Sequence, residues 1–134
     1  MQADDFKSSG SQSSKGNLNV DFKKITLKGT ELADTVVLMK RMNEYNKYCR
    51  ITVQPDAGMV GTFDLGTKSL QDGVADEPDL LGAGVNMATA NNQILTAGIG
   101  VGYPHDLALT IKTNDAGNDG LGITLMIEFL NTSS

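Results

Sequence analysis

The sequence has little of what usually carries chemistry. Cysteine occurs once, at Cys49, and histidine once, at His105. A single cysteine excludes an intrachain disulfide framework and any multi-cysteine metal site. A single histidine excludes a two-histidine metal centre. Tryptophan is absent and aromatic residues make up 5% of the chain, so the core must be mainly aliphatic. No apolar run approaches the roughly 20 residues of a membrane-spanning helix. No basic-plus-apolar segment of signal-peptide type opens the chain. Neither Gly-x-Ser-x-Gly nor His-Glu-x-x-His occurs. These absences predict no catalysis, no required metal or cofactor, and no membrane partner.

What is present is enough for one folded domain. The 134 residues are 40% apolar and only 20% charged, with 15 glycines. A chain of this size removes roughly two-thirds of its unfolded surface from water on folding. Net charge is −5, which argues against nonspecific nucleic-acid binding. The charge is unevenly placed along the chain. Residues 1–50 hold nine of the eleven Lys and Arg against six acids, and residues 51–134 hold two against ten. One reading is scatter over a solvated surface. The other is a two-toned molecule whose basic part faces an acidic neighbour.

Residues 1–17 are rich in Ser, Gly and Gln and nearly devoid of apolar side chains. Such a segment cannot offset its own ordering entropy, so it is expected to be an arm that orders only against a neighbouring chain. A single domain is expected over residues 18–134. From Leu18 the pattern has period two. Leu18, Val20 and Phe22 alternate with polar residues, and Ile25 and Leu27 follow in the opposite phase, which predicts a break near Lys23 and Lys24. Strands are expected at Asp34–Arg41, Arg50–Gln54, Thr62–Leu65, Gln93–Ala97, Asp106–Thr113 and Leu121–Leu130. Leu107, Leu109, Ile111, Ile123, Leu125, Ile127 and Phe129 form the predicted core faces of the last two. Residues 31–49 also fit a helix, because Leu38, Met42, Tyr45 and Cys49 share one helical face. The Thr-Val-Val centre and the β pattern downstream favour strand–loop–strand. Asp76 to Asp79 could cap a short helix at Leu80 and Leu81. Seven or eight short strands with Gly-rich turns predict an all-β antiparallel sandwich or closed sheet.

Each candidate for chemistry has a plainer reading beside it. Gly98, Gly100 and Gly102 look superficially like a phosphate loop, but the spacing is wrong and no Lys-Ser/Thr pair follows. Asp72, Asp76, Glu77 and Asp79, or Asp115, Asn118 and Asp119, could offer oxygens to calcium. A solvated loop and a hairpin turn are the stronger reading of both. Cys49 and His105 could form a nucleophile–base pair. A buried small residue and a loop histidine are the default. Met39, Met42, Met59, Met87 and Met126 lie within or beside apolar segments and are expected to fill gaps in the core.

The order of features is more specific than any single motif. Asp34-Thr-Val-Val-Leu leads to Arg50-Ile-Thr-Val-Gln. Gly61-Thr-Phe-Asp-Leu-Gly-Thr and the acidic Val74-Ala-Asp-Glu-Pro-Asp-Leu-Leu come next. Gly100-Val-Gly-Tyr, Asp106-Leu-Ala-Leu-Thr-Ile and Gly122-Ile-Thr-Leu-Met-Ile-Glu-Phe complete the series. Over residues 34–130 this resembles the small capsid cement, or decoration, proteins of tailed bacteriophages. The chain departs from that pattern at residues 42–48, where a Pro/Gly turn is usual. The resemblance implies a jelly-roll β-sandwich that self-associates as a dimer or trimer, without enzymatic activity. It implies a place on the outer capsid surface of a virion, after synthesis in the bacterial cytoplasm. The partner would be the major capsid protein, clamped against the pressure of packaged DNA without direct nucleic-acid contact. On that reading Lys7, Lys15, Lys23, Lys24 and Lys28 would lie along an acidic partner. The alternative is a carbohydrate- or receptor-binding β-sandwich of a phage tail or fibre. Sugar sites usually stack aromatic rings, and this chain has three Tyr and no Trp.

Overall fold

Period-two alternation of β-branched and aliphatic residues resolves into nine strands in the computed structural model, which describes residues 4–7, 18–89, 93–95 and 101–131. They are β1 (Asp4–Lys7), β2 (Leu18–Thr26), β3 (Thr35–Met42), β4 (Asn46–Pro55), β5 (Thr62–Ser69), β6 (Glu77–Asn86), β7 (Gln93–Leu95), β8 (His105–Thr113) and β9 (Gly122–Asn131). One turn of 3-10 helix, Ala116–Asn118, interrupts them, and no α-helix occurs among the described residues. One sheet runs β1-β2-β9-β4-β7 and the other β3-β8-β5-β6. All pairings are antiparallel. The chain changes sheet at nearly every connection, and consecutive strands pair directly only at β1–β2 and β5–β6. That winding of β2-β9-β4-β7 against β3-β8-β5-β6 is a jelly roll, with β1 added outside β2.

The predicted core faces of β8 and β9 fill the space between the sheets. Leu107, Leu109, Ile111, Ile123, Leu125 and Ile127 have no exposed surface, and Phe129 is also buried. Phe63, Leu65, Val37, Ile51 and Val53 meet them from the neighbouring strands. Met39, Met42, Met59 and Met87 are buried there too, as gap fillers. Full burial of each Leu, Ile or Phe contributes about 1.5–3 kcal/mol. Gly66 on β5 is required by close approach, because a Cβ there would overlap the backbone of Glu77 and Pro78 on β6.

Residues 31–49 are strand–turn–strand, the reading the Thr-Val-Val centre favours, since the packing of Val37, Met39 and Met42 against β8 overrides the helical spacing. Several other local expectations change. Leu80 and Leu81 lie in strand β6, whose pairing with β5 leaves no room for a capped helix. His105 is no loop residue: it opens β8 and is fully buried. Cys49 is half-buried at a bulge in β4. Residues 4–7 pair with β2 of their own chain, where composition suggested a segment held by a neighbour. The remainder of residues 1–17 lies outside the described residues, as do residues 96–100 with Gly98 and Gly100.

The predicted break in β2 is absent. β2 pairs with β9 without a register shift from Leu18 opposite Leu130 to Thr26 opposite Gly122. Its inward positions are therefore Asn19, Asp21, Lys23 and Ile25, and Leu18, Val20 and Phe22 face outward. The phase change in the sequence marks where polar residues give way to Ile25 on one continuous inner face.

Candidate binding surfaces and buried polar ties

A bulge in β3 aims the first polar group into the sandwich. Simple alternation from Val37 through Met39 would turn Arg41 inward and Lys40 outward. The register instead shifts between Leu38 and Lys40, so Lys40 comes opposite Leu107 and Met42 opposite His105. Lys40 then reaches across to β2, where its ammonium pairs with the Asp21 carboxylate. The same nitrogen stands 5.0 Å from the centroid of the Phe129 ring, a cation–π distance. Asp21 is 4% exposed. This ion pair ties the two sheets together along the side of the sandwich formed by β2 and β3.

A second tie joins β4 to β8. His105 Nδ1 lies 2.8 Å from the Tyr103 carbonyl oxygen, which can only accept, so Nδ1 carries the proton. Nε2 is then an acceptor, and the Tyr48 hydroxyl donates to it at 2.7 Å. The Tyr103 hydroxyl continues the chain to Thr67 Oγ1 at 2.8 Å. Burial pushes the His105 pKa below its ordinary value, against the opposing influence of the Tyr103 carbonyl and the Asp106 carboxylate. Burial, with Tyr103 and Asp106 nearby, holds the Tyr48 hydroxyl protonated well above the usual phenol range. Both groups are buried and bonded to each other. Cys49 follows Tyr48 in sequence, but the bulge between Tyr48 and Arg50 takes it out of the alternation, and His105 bonds Tyr48 instead.

The acidic segments serve turns. Asp76 Oδ1 accepts from the Ser69 amide at 2.8 Å and closes the loop between β5 and β6. Asp115 caps the 3-10 turn through the Gly117 amide. Asn118 is fully buried, and its amide brackets Val60, accepting from the Val60 N–H at 2.9 Å and donating to the Val60 carbonyl at 2.7 Å. Among the described residues, no three His, Cys, Asp or Glu side chains gather around a point where a metal could sit.

Of the lysines proposed for a partner, Lys23, Lys24 and Lys28 take different positions in the fold. Lys23 is 8% exposed on the inner face of β2. Lys24 faces outward and pairs with Asp56 at 3.9 Å. Lys28 is exposed in the loop after β2, at one end of the sandwich. Lys7 lies in β1, in register with Asp21. Lys15 falls outside the described residues. The linear charge asymmetry is partly folded into the molecule. Lys24, Arg41 and Arg50 from the basic first part pair with Asp56, Asp106 and Glu128 from the acidic remainder. Only the tertiary pairing reveals this, because the partners are distant in sequence.

The outer face of the β3-β8-β5-β6 sheet carries a shallow groove of about 310 Å³. Ala108 and Pro78 give it apolar surface, and Asp34, Asp64, Asp76, Lys68 and Lys112 supply charge. Lys112 Nζ pairs with Asp34 Oδ1 at 2.6 Å, and Asp64 accepts from the Gly84 amide at 2.8 Å. Exposed apolar side chains sit mainly at the ends of the sandwich. Leu32 and Val60 lie in loops at the end that also carries Lys28, while Tyr45 and Leu70 lie in turns at the opposite end. The Leu32 and Val60 end is held firm by Glu31, whose carboxylate accepts from the Lys28 and Gly29 amides and from Asn114.

No protein-family model matches the sequence, and no curated protein does so either. Among solved structures, the fold matches a chain of the capsid of Ralstonia phage GP4 with a TM-score of 0.68 and 16% identity, covering 92% of this chain and 90% of that one. It also matches a chain of the cyanophage Pam1 capsid asymmetric unit with a TM-score of 0.65 and 14% identity, covering 92% of this chain and 91% of that one. At such identities the likeness is one of fold, and it runs through the whole jelly roll rather than a fragment of it.

Proposed function

We propose that this chain is a structural protein of a tailed-phage capsid, of the cement or decoration type. The observation that carries the reading is the end-to-end match of the jelly roll to chains from two phage capsid structures. The partner on this reading is the major capsid protein, contacted at the outer surface of the virion by a dimer or trimer of the chain. The groove on the β3-β8-β5-β6 sheet carries Asp34, Asp64 and Asp76 against Lys68 and Lys112, so it suits a polar protein surface better than nucleic acid. Of the proposed contact lysines, Lys28, beside the rigid Glu31 loop, has the exposure such a role needs. Lys23 is withdrawn from it by burial.

The test is to mix the purified chain with capsids of its source phage that lack it, and to measure occupancy by cryo-electron microscopy and shell survival on heating. Bound jelly rolls on the outer shell, with a higher disruption temperature, are expected. Binding to neither capsid nor shell fragment, together with glycan binding in an array, would replace this reading with the tail or fibre module. Deletion of residues 1–17 separates the arm from the domain: reduced occupancy with salt-sensitive binding of the full chain is expected.

A further inference from the structure

We infer that Asp72 is a site of spontaneous modification, its carboxyl closing onto the Gly73 amide to give a succinimide and then isoaspartate, while the fold protects the same dipeptide at Asp119-Gly120. These are the two Asp-Gly pairs of the sequence, which has no Asn-Gly. The reaction needs the glycine nitrogen to reach Cγ of the residue before it, and glycine has no side chain to shield that nitrogen. Both pairs are the central residues of a turn. The Val74 N–H donates to the Gln71 carbonyl at 3.2 Å, and Gly73 has φ 81°. The Leu121 N–H donates to the Asn118 carbonyl at 2.9 Å, with Asp119 at φ −56° and ψ 124° and Gly120 at φ 79°. A left-handed glycine in the third position, after a residue outside the left-handed region, marks a type II turn in both. Neither the dipeptide nor the turn type separates the two sites.

The engagement of the glycine nitrogen does separate them. The Gly120 amide donates to the Leu27 carbonyl at 2.9 Å, and the turn starts from Asn118, which is fully buried and bonded to Val60 and Asn114. Among the described residues nothing bonds the Gly73 amide, and Gln71, Asp72 and Gly73 are all exposed. Opening a hydrogen bond such as Gly120 to Leu27 lowers the reactive population by up to about tenfold. At Asp72 the glycine nitrogen attacks Cγ of the neutral acid. The N–Cγ bond forms, the Cγ–OH bond breaks, and the hydroxyl leaves as water with the amide proton. A water molecule then adds to one carbonyl of the imide. Addition at Cγ restores aspartate. Addition at the former main-chain carbonyl breaks its bond to nitrogen and leaves isoaspartate, whose main chain runs through Cβ and Cγ. The loop between β5 and β6 is then one carbon longer. It is anchored beside the turn by the Ser69 amide on Asp76 at 2.8 Å and the Leu70 amide on the Pro104 carbonyl at 3.0 Å. The change therefore falls on the surface and leaves the sandwich folded.

The full chain is incubated for weeks at mildly acidic pH, folded in buffer and unfolded in urea. Trypsin cuts after Lys68 and Lys112, which puts the two Asp-Gly pairs on different peptides. Isoaspartate in each peptide is measured with isoaspartyl methyltransferase and labelled S-adenosylmethionine, and is located by fragmentation in the mass spectrometer. In the folded chain, isoaspartate at 72 should exceed that at 119 by about tenfold. In urea the two sites should give comparable amounts, because the Gly120 to Leu27 bond is gone. Asp72→Glu cannot close the five-membered ring as aspartate does, and should abolish the signal from the first peptide in a folded domain. Equal yields at the two sites of the folded chain overturn the inference, as does the absence of isoaspartate at 72. A bias toward 72 that is just as large in urea also overturns it, since the protection of Asp119 would then owe nothing to the fold.

Discussion

At the centre of the sandwich, β5, β8 and β9 send Leu65, Leu109, Leu125 and Ile127 inward, and none of the four has exposed surface. Along the β2–β3 side, the inward positions include Asn19, Asp21, Lys23 and Lys40, beside Ile25, Val37, Met39 and Met42. Both regions are buried within one jelly roll, yet they are held by different physics. The centre needs volume and shape, and each side chain there is worth its transfer from water. The side needs partners, because a buried carboxylate or ammonium costs several kcal/mol unless it is met by its opposite. Asp21, Lys40 and the Phe129 ring meet that need between the sheets. The centre would tolerate many aliphatic residues of the right size. The side accepts one arrangement of β2 against β3, because a shift of either strand separates the charges.

The sharpest way to break the comparison is to empty each region in turn. Ile127→Ala removes a fully buried side chain beside Leu125 and Phe129 and should cost about 4 kcal/mol, within the usual range for large-to-small core changes. Urea unfolding followed by far-UV circular dichroism measures it. A loss under about 1 kcal/mol would mean that the centre collapses around the cavity. Asp21→Leu leaves the Lys40 charge without its partner and should cost about 3 kcal/mol. Asp21→Leu combined with Lys40→Met removes both charges and should recover most of that loss. If the double variant is no better than the single, the side is held by its shape and not by its charge balance.

The two regions also differ in how much of them could be read from the sequence. β8 and β9 were legible because both their inward and outward residues follow one unbroken alternation, from Leu107 to Ile111 and from Ile123 to Phe129. β2 was legible as a strand, but its inner face was not. Leu18, Val20 and Phe22 announce the right period on the outward side, where Phe22 stands in register with Phe6 and Met126. The Asp21 partner is 19 residues away and turns inward only through the Met39 bulge, which leaves no mark in the period of the apolar residues. The candidate contact residues suffered in the same way. Net charge along the chain suggested a basic surface, and ion pairs across the fold engage Lys24, Arg41 and Arg50 with acids of the second part. His105 looked like a loop residue after Tyr103-Pro104 because its partner Tyr48 lies 57 positions earlier.

The Tyr48–His105 tie stands between the two extremes, polar but uncharged, and gives the smaller effects. Tyr48→Phe keeps the ring and deletes the hydroxyl, leaving His105 Nε2 buried without its donor. The expected cost is about 1–2 kcal/mol, read from the same urea curves. The tie also gives the protein a signed pH response. His105 is neutral when folded, and its folded pKa lies below the unfolded value of 6.5. Below pH 6.5 the unfolded chain therefore binds a proton that the folded chain refuses. Stability from this group is complete above pH 6.5 and declines as pH falls toward the folded pKa. The slope cannot exceed about 1.4 kcal/mol per pH unit for one group. Glu31 responds in a separate window. Burial raises its pKa, but the Lys28 and Gly29 amides and Asn114 outweigh it and leave the value below 4.5. Its contribution is present above pH 4.5 and is lost as pH falls further. A stability profile from pH 8 to pH 3 should thus show two limbs. His105→Gln should remove the upper limb and Glu31→Gln should weaken the lower one. An upper limb that survives His105→Gln would assign it to another group and remove the Tyr48–His105 tie from the account of pH sensitivity.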